Sequence, residues 1–413
     1  MSPILLLTLV WTLSGPAPSL TDSLSHARDE IVADLKNNIL PYWERYTVDP
    51  AGGFYGSVSR AGEPVSGAAK GQILNSRILW TFSAAWRHFG EENYLTLANR
   101  ARDYFQNHFI DPVYGGVYGS VSATGQPLDT LKHMDGLAYA IYGYSEHYRA
   151  TGDIASLQTA IRLYHDLQRA HDPVHGGWFD TLNRDWSPRT PSAGISGRPS
   201  PVKSMNTHIH ILEALADLYK VWRDRELAAS LREVLVLLDR TIYNPRTCHL
   251  RLYFDTAWTL IGDTDSYGHE IETSWMLHDA AAALGDPALL AETDKISVDL
   301  CRAALRDGLN EIGGLTIEKN KVSGRARRGM TWWGQAEAVN GCLTAWKISG
   351  DDRLLRQALR SWDFIKERFI DYEYGEWFRT LLEDGSPIRD EPKCGMWNCP
   401  YHNTRMGFLL LEP

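Results

Sequence analysis

The sequence predicts a closed (α/α)6 barrel of twelve helices, with short β-hairpins between helix pairs. Three observations carry that prediction. A turn-and-hairpin motif recurs six times, the helical segments between its copies alternate between half-polar and almost wholly apolar, and neither end of the array is polar.

The motif begins as DPAGGFYG at Asp49, DPVYGGVYG at Asp111, DPVHGGWFD at Asp172, NPRTCHLRLYF at Asn244, DGLNEIGGLTIE at Asp307 and DYEYGEWFRTLLEDG at Asp371, at intervals of 62, 61, 72, 63 and 64 residues. One period sustained over six copies marks a repeat architecture. Each copy sets turn residues before a short aromatic and aliphatic run, which reads as a small hairpin. Before each copy lies an amphipathic helical pattern, such as SLREVLVLLDRTIY (230–243) or RLLRQALRSWDFIKERFI (353–370). After each copy comes a helix apolar around most of its circumference: 76–89, 135–148, 210–222, 271–284, 335–348 and 403–412. Half-polar and all-apolar helices in alternation ask for two concentric rings, the apolar set inside. An open superhelix would need polar caps on its end repeats. A single domain over residues 24–413 follows.

The 413 residues are 44% hydrophobic and 23% charged, ordinary globular composition with material for a large core. The net charge of -9 provides no basic field for a polyphosphate, so nucleic acid is not an expected partner. Residues 1–20 have the form of a signal peptide, with about ten apolar residues from Ile4 to Leu13, too few to span a bilayer, and small residues after them. The stretch lacks Lys and Arg. It predicts a periplasmic or secreted protein with no membrane association after processing, or a cytoplasmic one if the leader does not function. The five cysteines are odd in number and scattered, so no disulfide framework is expected. Cys394 and Cys399 could pair, but free buried thiols are the better reading. No zinc-ligand spacing occurs, and no metal is expected.

In a closed ring the inner helices run parallel, and their N-termini meet at one mouth. Those starts carry Asn75 and Arg77, His133 and Asp135, Asn206 and His210, His269 and Glu272, Trp332 and Trp333, and then Trp397, Tyr401 and His402. Any one of these could be a cap, a core filler or, for Arg77 with Glu272, a buried ion pair. Three histidines and an arginine at equivalent places in separate repeats point to a site. Helix N-termini favour anions and disfavour imidazolium, which leaves neutral histidines able to accept protons. Aromatic walls suit sugar rings. In NTHIH, His208 and His210 lie about 200° apart on a helix, so at most one of them faces a common cavity.

The stretches RILWTFSAAWRHF, KSMNTHIHILEALADLY, YGHEIETSWML, WWGQAEAV and WNCPYHNTRM resemble the cellobiose 2-epimerase branch of the N-acylglucosamine 2-epimerase family, over roughly residues 24–411. The resemblance implies an (α/α)6 barrel that epimerises C2 of the reducing-end sugar of a β-1,4-linked disaccharide, without metal or organic cofactor. It implies that Arg77 binds the oxygens around C1 and C2, that His210 and His402 are the acid-base pair at C2, and that His269, backed by Glu272, assists ring opening. Asn206 would contact the reducing-end sugar. Trp332 and Trp397 would be stacking platforms, with Trp333, Tyr401 and Asp135 also lining the substrate site. Asp135 stands where relatives carry Tyr, and the Ser-, Pro- and Gly-rich segment 187–204 departs from their acidic pattern. Cellobiose, mannobiose and lactose all remain open as substrates. Related alternatives are an aldose-ketose isomerase and an N-acylglucosamine 2-epimerase. More distant ones are a glycoside hydrolase, using Asp135 and Glu272, and a non-catalytic sugar-binding barrel. The expected state is a monomer or homodimer.

Overall fold

The computed structural model describes residues 19–189 and 202–412. The leader and most of the segment 187–204 therefore lie outside the described residues. The chain starts with α1 (Leu20–Asp34), capped by a reciprocal Ser19–Asp22 box, and runs through a π turn (Leu35–Ile39) into α2 (Leu40–Tyr46) as one continuous helix. The π turn sits where Pro41 removes a backbone donor from the following turn. The remaining helices are α3 (Gln72–Phe89), α4 (Glu92–His108), α5 (Met134–Thr151), α6 (Ile154–Gln168), α7 (Met205–Val221), α8 (Arg225–Leu237), α9 (Tyr267–Leu284), α10 (Pro287–Gly308), α11 (Trp332–Ser349), α12 (Asp352–Arg368) and α13 (Tyr401–Leu409). Among the described residues, no helix is long and apolar enough to cross a membrane.

The odd-numbered helices from α3 to α13 form the inner ring. Each packs on the next, and α13 closes onto α3. The half-polar helices lie outside, and α12 meets α1 across the closing seam. Inner helices α3, α5, α9 and α11 stop at a left-handed glycine, namely Gly90, Gly152, Gly285 and Gly350. An aspartate N-cap then starts the outer helix in most repeats, as at Asp153, Asp286 and Asp351. A glycine stop followed directly by an aspartate start makes these turns tight. The inner helices begin one to five residues earlier than the apolar patterns suggest, because polar residues occupy their first turns.

The hairpins collect at the inner-helix N-termini. The strand before each inner helix pairs with the hairpin of the next repeat: Lys70–Gly71 with Ser120–Val121, Lys132–His133 with Thr181–Leu182, Lys203–Ser204 with Tyr253–Phe254, Thr264–Ser266 with Glu318–Asn320, and Met330–Thr331 with Thr380–Leu381. A bridge from Cys394 to Val58 joins the last repeat to the first. The repeat aspartate is part of this frame. Lys70, Lys132, Lys203 and Lys393, all buried, place Nζ 2.7–2.9 Å from Asp49, Asp111, Asp172 and Asp371. Each ammonium also donates to a hairpin carbonyl, as Lys203 does to Gly176 at 2.8 Å. In the fifth repeat the counterpart is Asn310 rather than Asp307: its backbone makes the equivalent turn to Gly314, and its amide donates to the Met330 sulfur at 3.3 Å.

Gly53, Gly116 and Gly177 hold the same left-handed hairpin position, and a Cβ at Gly53 would enter the Tyr104 ring. The sixth repeat places Glu376 there at φ 60°. Its buried carboxylate is bonded by Asn403 (2.7 Å), Trp43 (3.3 Å) and Arg379 (3.3 Å), which holds the residue in a conformation unfavourable to a side chain. The five cysteines are free, and among the described residues no disulfide forms.

Candidate active site

Because the inner helices run parallel, their first two turns present side chains to a common interior. From α3, Arg77 donates to the Tyr139 hydroxyl of α5 and lies 3.5 Å from the Cys399 sulfur. Its guanidinium stacks on the rings of Tyr139 and Tyr401, at 4.1 and 4.7 Å from their centroids. The Tyr139 hydroxyl lies 2.7 Å from His210 Nε2 on α7. The other ring nitrogen, Nδ1, faces Glu213 one turn on, at 3.4 Å. Glu213 also accepts from the Tyr401 hydroxyl and from Arg405, both on α13. The second terminal nitrogen of Arg405 reaches Glu272 on α9 at 2.7 Å and Glu337 on α11 at 2.6 Å. Glu337 bonds His402 Nδ1 at 2.7 Å. One hydrogen-bonded chain thus runs from Arg77 to His402 and draws on all six inner helices.

Beside it, a cavity of about 340 Å³ is lined by Asp135, Asn206 and His269, with Tyr253 and Glu318 on its wall. His269 Nδ1 bonds Ser266 at 2.7 Å. Trp333 joins the two regions, its ring 4.8 Å from His269 and 5.5 Å from His402. Trp397, on the loop before α13, is 51% exposed with its ring 6.0 Å from the Arg77 guanidinium. Trp332 is buried against Arg379 on one side and His402 on another.

Several expectations need correcting. Glu272 does not back His269: its carboxylate lies against Arg405, with His402 Nδ1 at 3.6 Å. Arg77 and Glu272 are not an ion pair, since Arg77 turns to Tyr139 and Cys399. Tyr401 is fully buried and its hydroxyl is committed to Glu213 and Arg405, so it supports the site instead of facing substrate. Asn75 is a helix-internal group, its amide 2.8 Å from the Gly71 carbonyl. His208 is structural. Its Nδ1–H donates to the Ser204 carbonyl at 2.7 Å, and its Nε2 accepts from the Trp178 N–H at 3.1 Å. Sequence reasoning missed Tyr139, Glu337 and Arg405. All three lie within quoted helical stretches, where a charge on an otherwise apolar inner helix was the available signal for Glu337 and Arg405.

Burial is the chief cause that lowers all three site histidines: His269 is pushed down to about 3, His402 well below the usual imidazole range, and His210 in the same direction. Burial pushes Glu337 up, but Arg405 and His402 beside it bring it down to about 2. Glu272, buried and facing Glu337, rises to about 8. Neutral imidazoles with carboxylates behind them are competent proton acceptors. His402 donates from Nδ1 to Glu337, which leaves Nε2 as its basic nitrogen, with no partner among the described residues. Glu272, Glu337 and His402 lie close enough together to hold a metal ion, but the Arg405 guanidinium already fills the cationic position between them. A second buried group, His249, Asp265 and Glu270, lies outside this site.

Residues 53–404 match the N-acylglucosamine 2-epimerase family. The chain is 42% identical over 386 residues to a cellobiose 2-epimerase of Bacteroides fragilis, covering 93% of this chain and 98% of that protein. It is 38% identical to a cellobiose 2-epimerase of Ruminococcus albus, covering 91% and 96% of the two chains. The solved cellobiose 2-epimerase of Bacillus thermoamylovorans superposes with a TM-score of 0.88 at 31% identity, over 93% of this chain and 98% of that one. The closed ring, the polar chain at its centre and these similarities together establish that the chain belongs to the N-acylglucosamine 2-epimerase family.

Proposed function

We propose that the protein epimerises C2 of the reducing-end sugar of a β-1,4-linked disaccharide, in the manner of cellobiose 2-epimerases. The observation that carries this reading is the pair of buried imidazoles on well-separated inner helices, each with its own carboxylate, one packed on Tyr139 and the other on Tyr401, the two rings that hold Arg77. Ring opening exposes an aldehyde at C1. One imidazole then takes the C2 proton, and the electron pair moves onto the C1 oxygen as a cis-enediolate. Arg77 stabilises that oxygen in a site where burial strengthens the interaction. The other imidazole, which enters this step as imidazolium, gives its proton to the opposite face of C2, so that one proton leaves the sugar and one enters it while the charge passes from one imidazole to the other. His210 and His402 fill these two roles, and His269, beside the cavity with Asn206 and Asp135, assists opening and closing of the ring. Trp397 and Trp333 offer rings to the sugars; Trp332, expected as a platform beside Trp397, is instead buried against Arg379. No electrons are gained or lost overall.

A glycoside hydrolase would need an acid and a carboxylate about 6.5–9.5 Å apart for inversion, and Glu272 is turned into the Arg405 cluster. Incubation with cellobiose in D2O, followed by NMR of the reducing end, tests the reading. Deuterium at C2 together with a mannose-type end is the expected result. Monosaccharides, a keto product alone, or no change would each overturn it. The leader-like residues 1–20 support a periplasmic or secreted location, which N-terminal sequencing of the processed protein would test.

A further inference from the structure

We propose that Arg405 is a positioning residue that couples His210 to His402: one guanidinium holds the carboxylates behind both imidazoles, so that the two are oriented and charged as a unit. The proposal rests on the epimerase reading above for its purpose, but not for its test.

The geometry is specific to this side chain. One terminal nitrogen of Arg405 bonds Glu213, the partner of His210; the other bonds Glu337, the partner of His402, at 2.6 Å. The same nitrogen bonds Glu272 at 2.7 Å and lies 3.4 Å from His402 Nδ1. The plane is clamped between the rings of Tyr401 and Trp275, 4.1 and 4.6 Å from their centroids, so the fork has little freedom to turn. A lysine could supply the charge but not two divergent donor pairs.

The electrostatics follow from the contacts. A carboxylate beside an imidazole favours the imidazolium, and in a buried site the effect is large. Arg405 draws that negative charge toward itself from both dyads at once, which loosens the hold of each carboxylate on an imidazolium and lets one proton be carried by either imidazole. The surrounding groups do not bridge the two carboxylates. Arg77 on α3 also lowers both imidazoles by its charge, but it bonds Tyr139 and Cys399 and neither Glu213 nor Glu337; the phenols of Tyr139 and Tyr142 on α5 are pushed up by burial and stay neutral. Asp135 acts on His210 from a distance, while His269 and Glu272 on α9 are uncharged near neutrality, at about 3 and about 8. Imidazoles that share one counter-charge serve a reversible C2 proton exchange. The base of the forward direction is the acid of the reverse, and a common counter-charge keeps either assignment accessible.

The test combines turnover with histidine NMR. In Arg405→Gln, both His210 and His402 should titrate at least one pH unit higher than in wild type, read from 15N-histidine spectra assigned with His210→Asn and His402→Asn. His208, which has no contact with Arg405, should not move. On cellobiose, kcat should fall about a hundredfold or more while KM changes less than threefold, and the acid limb of the kcat profile should shift upward with the imidazoles. Arg405→Lys should restore the limb but only part of kcat. If Arg405→Gln does not fold, Glu213→Gln retains the guanidinium; there, a shift of His402, whose own carboxylate is untouched, is the expected sign of coupling. Imidazoles that keep their wild-type titrations, or movement of His210 alone, would overturn the proposal. The titrations need no turnover, so a protein inactive on cellobiose would still decide it.

Discussion

The ring of hairpins and the centre of the barrel are built from the same helix ends but follow opposite rules. In the hairpin ring, one buried Asp–Lys pair recurs in four repeats, at Asp49, Asp111, Asp172 and Asp371, each ammonium also satisfying a turn carbonyl. At the centre, Arg77, Tyr139, His210, Glu272, Glu337 and Arg405 each come from a different inner helix, and only Glu272 and Glu337 repeat one residue at one depth. Repetition marks what closes the ring, and departure from repetition marks where chemistry is concentrated.

The largest effect that would sharpen this contrast is at the centre. His402→Asn should lower kcat on cellobiose about 10³-fold, with the urea unfolding free energy within about 1 kcal/mol of wild type. A large loss of stability with normal specific activity would place His402 in the frame instead.

The frame should behave in reverse. Lys203→Met strands the Asp172 carboxylate, buried with its ammonium partner 2.7 Å away, and should destabilise the fold by about 3–5 kcal/mol in urea unfolding. The activity of the folded fraction should remain. The double variant Asp172→Asn with Lys203→Met copies the Asn310 and Met330 arrangement of the fifth repeat and should recover most of that loss. If the double variant is no better than the single, the fifth repeat is not a substitute for the ionic pair.

The two histidines of NTHIH extend the comparison to a single turn of helix. Burial lowers His208 from the usual 6.5 to about 4, below its unfolded value, so its contribution is intact above pH 6.5 and is lost as pH falls toward 4. At about 1.4 kcal/mol per pH unit, that loss approaches about 3 kcal/mol across the window. His208→Asn should flatten this part of the stability profile while leaving the pH dependence of turnover alone. An unchanged slope between pH 6.5 and 4 would sink the assignment. The smallest effect is at the exposed rim: Trp397→Ala should raise KM about three- to tenfold, a stacking contribution of about 0.5–1.5 kcal/mol, with kcat nearly unaffected. A fall in kcat without a change in KM would move Trp397 into the chemistry.

Much of this was readable without coordinates, and particular residues show why. The hairpin motif and the alternation of helices are local patterns, so the order of rings and the mouth that gathers Arg77, His210, His269 and His402 follow from them. The lysines at positions 70, 132, 203 and 393 escaped notice because each lies 21 to 31 residues from its aspartate. The fifth repeat was misaligned by the Asp307 that precedes Asn310. The partner of His269 was misplaced because spacing along α9 allows Glu272 to sit beneath it, while the actual direction of Glu272 is set by Arg405 on another helix.

By itself, the sequence determined the ring, the parallel inner helices and the residue types at their mouths, because periodic burial is a property each segment carries alone. Only the tertiary structure decided which carboxylate serves which imidazole, that Tyr139 stands between Arg77 and His210, and that Arg405 joins both dyads. Those choices depend on the rotation and depth of each inner helix relative to its neighbours, and a difference of one turn moves a charged atom by several ångströms, beyond hydrogen-bonding reach.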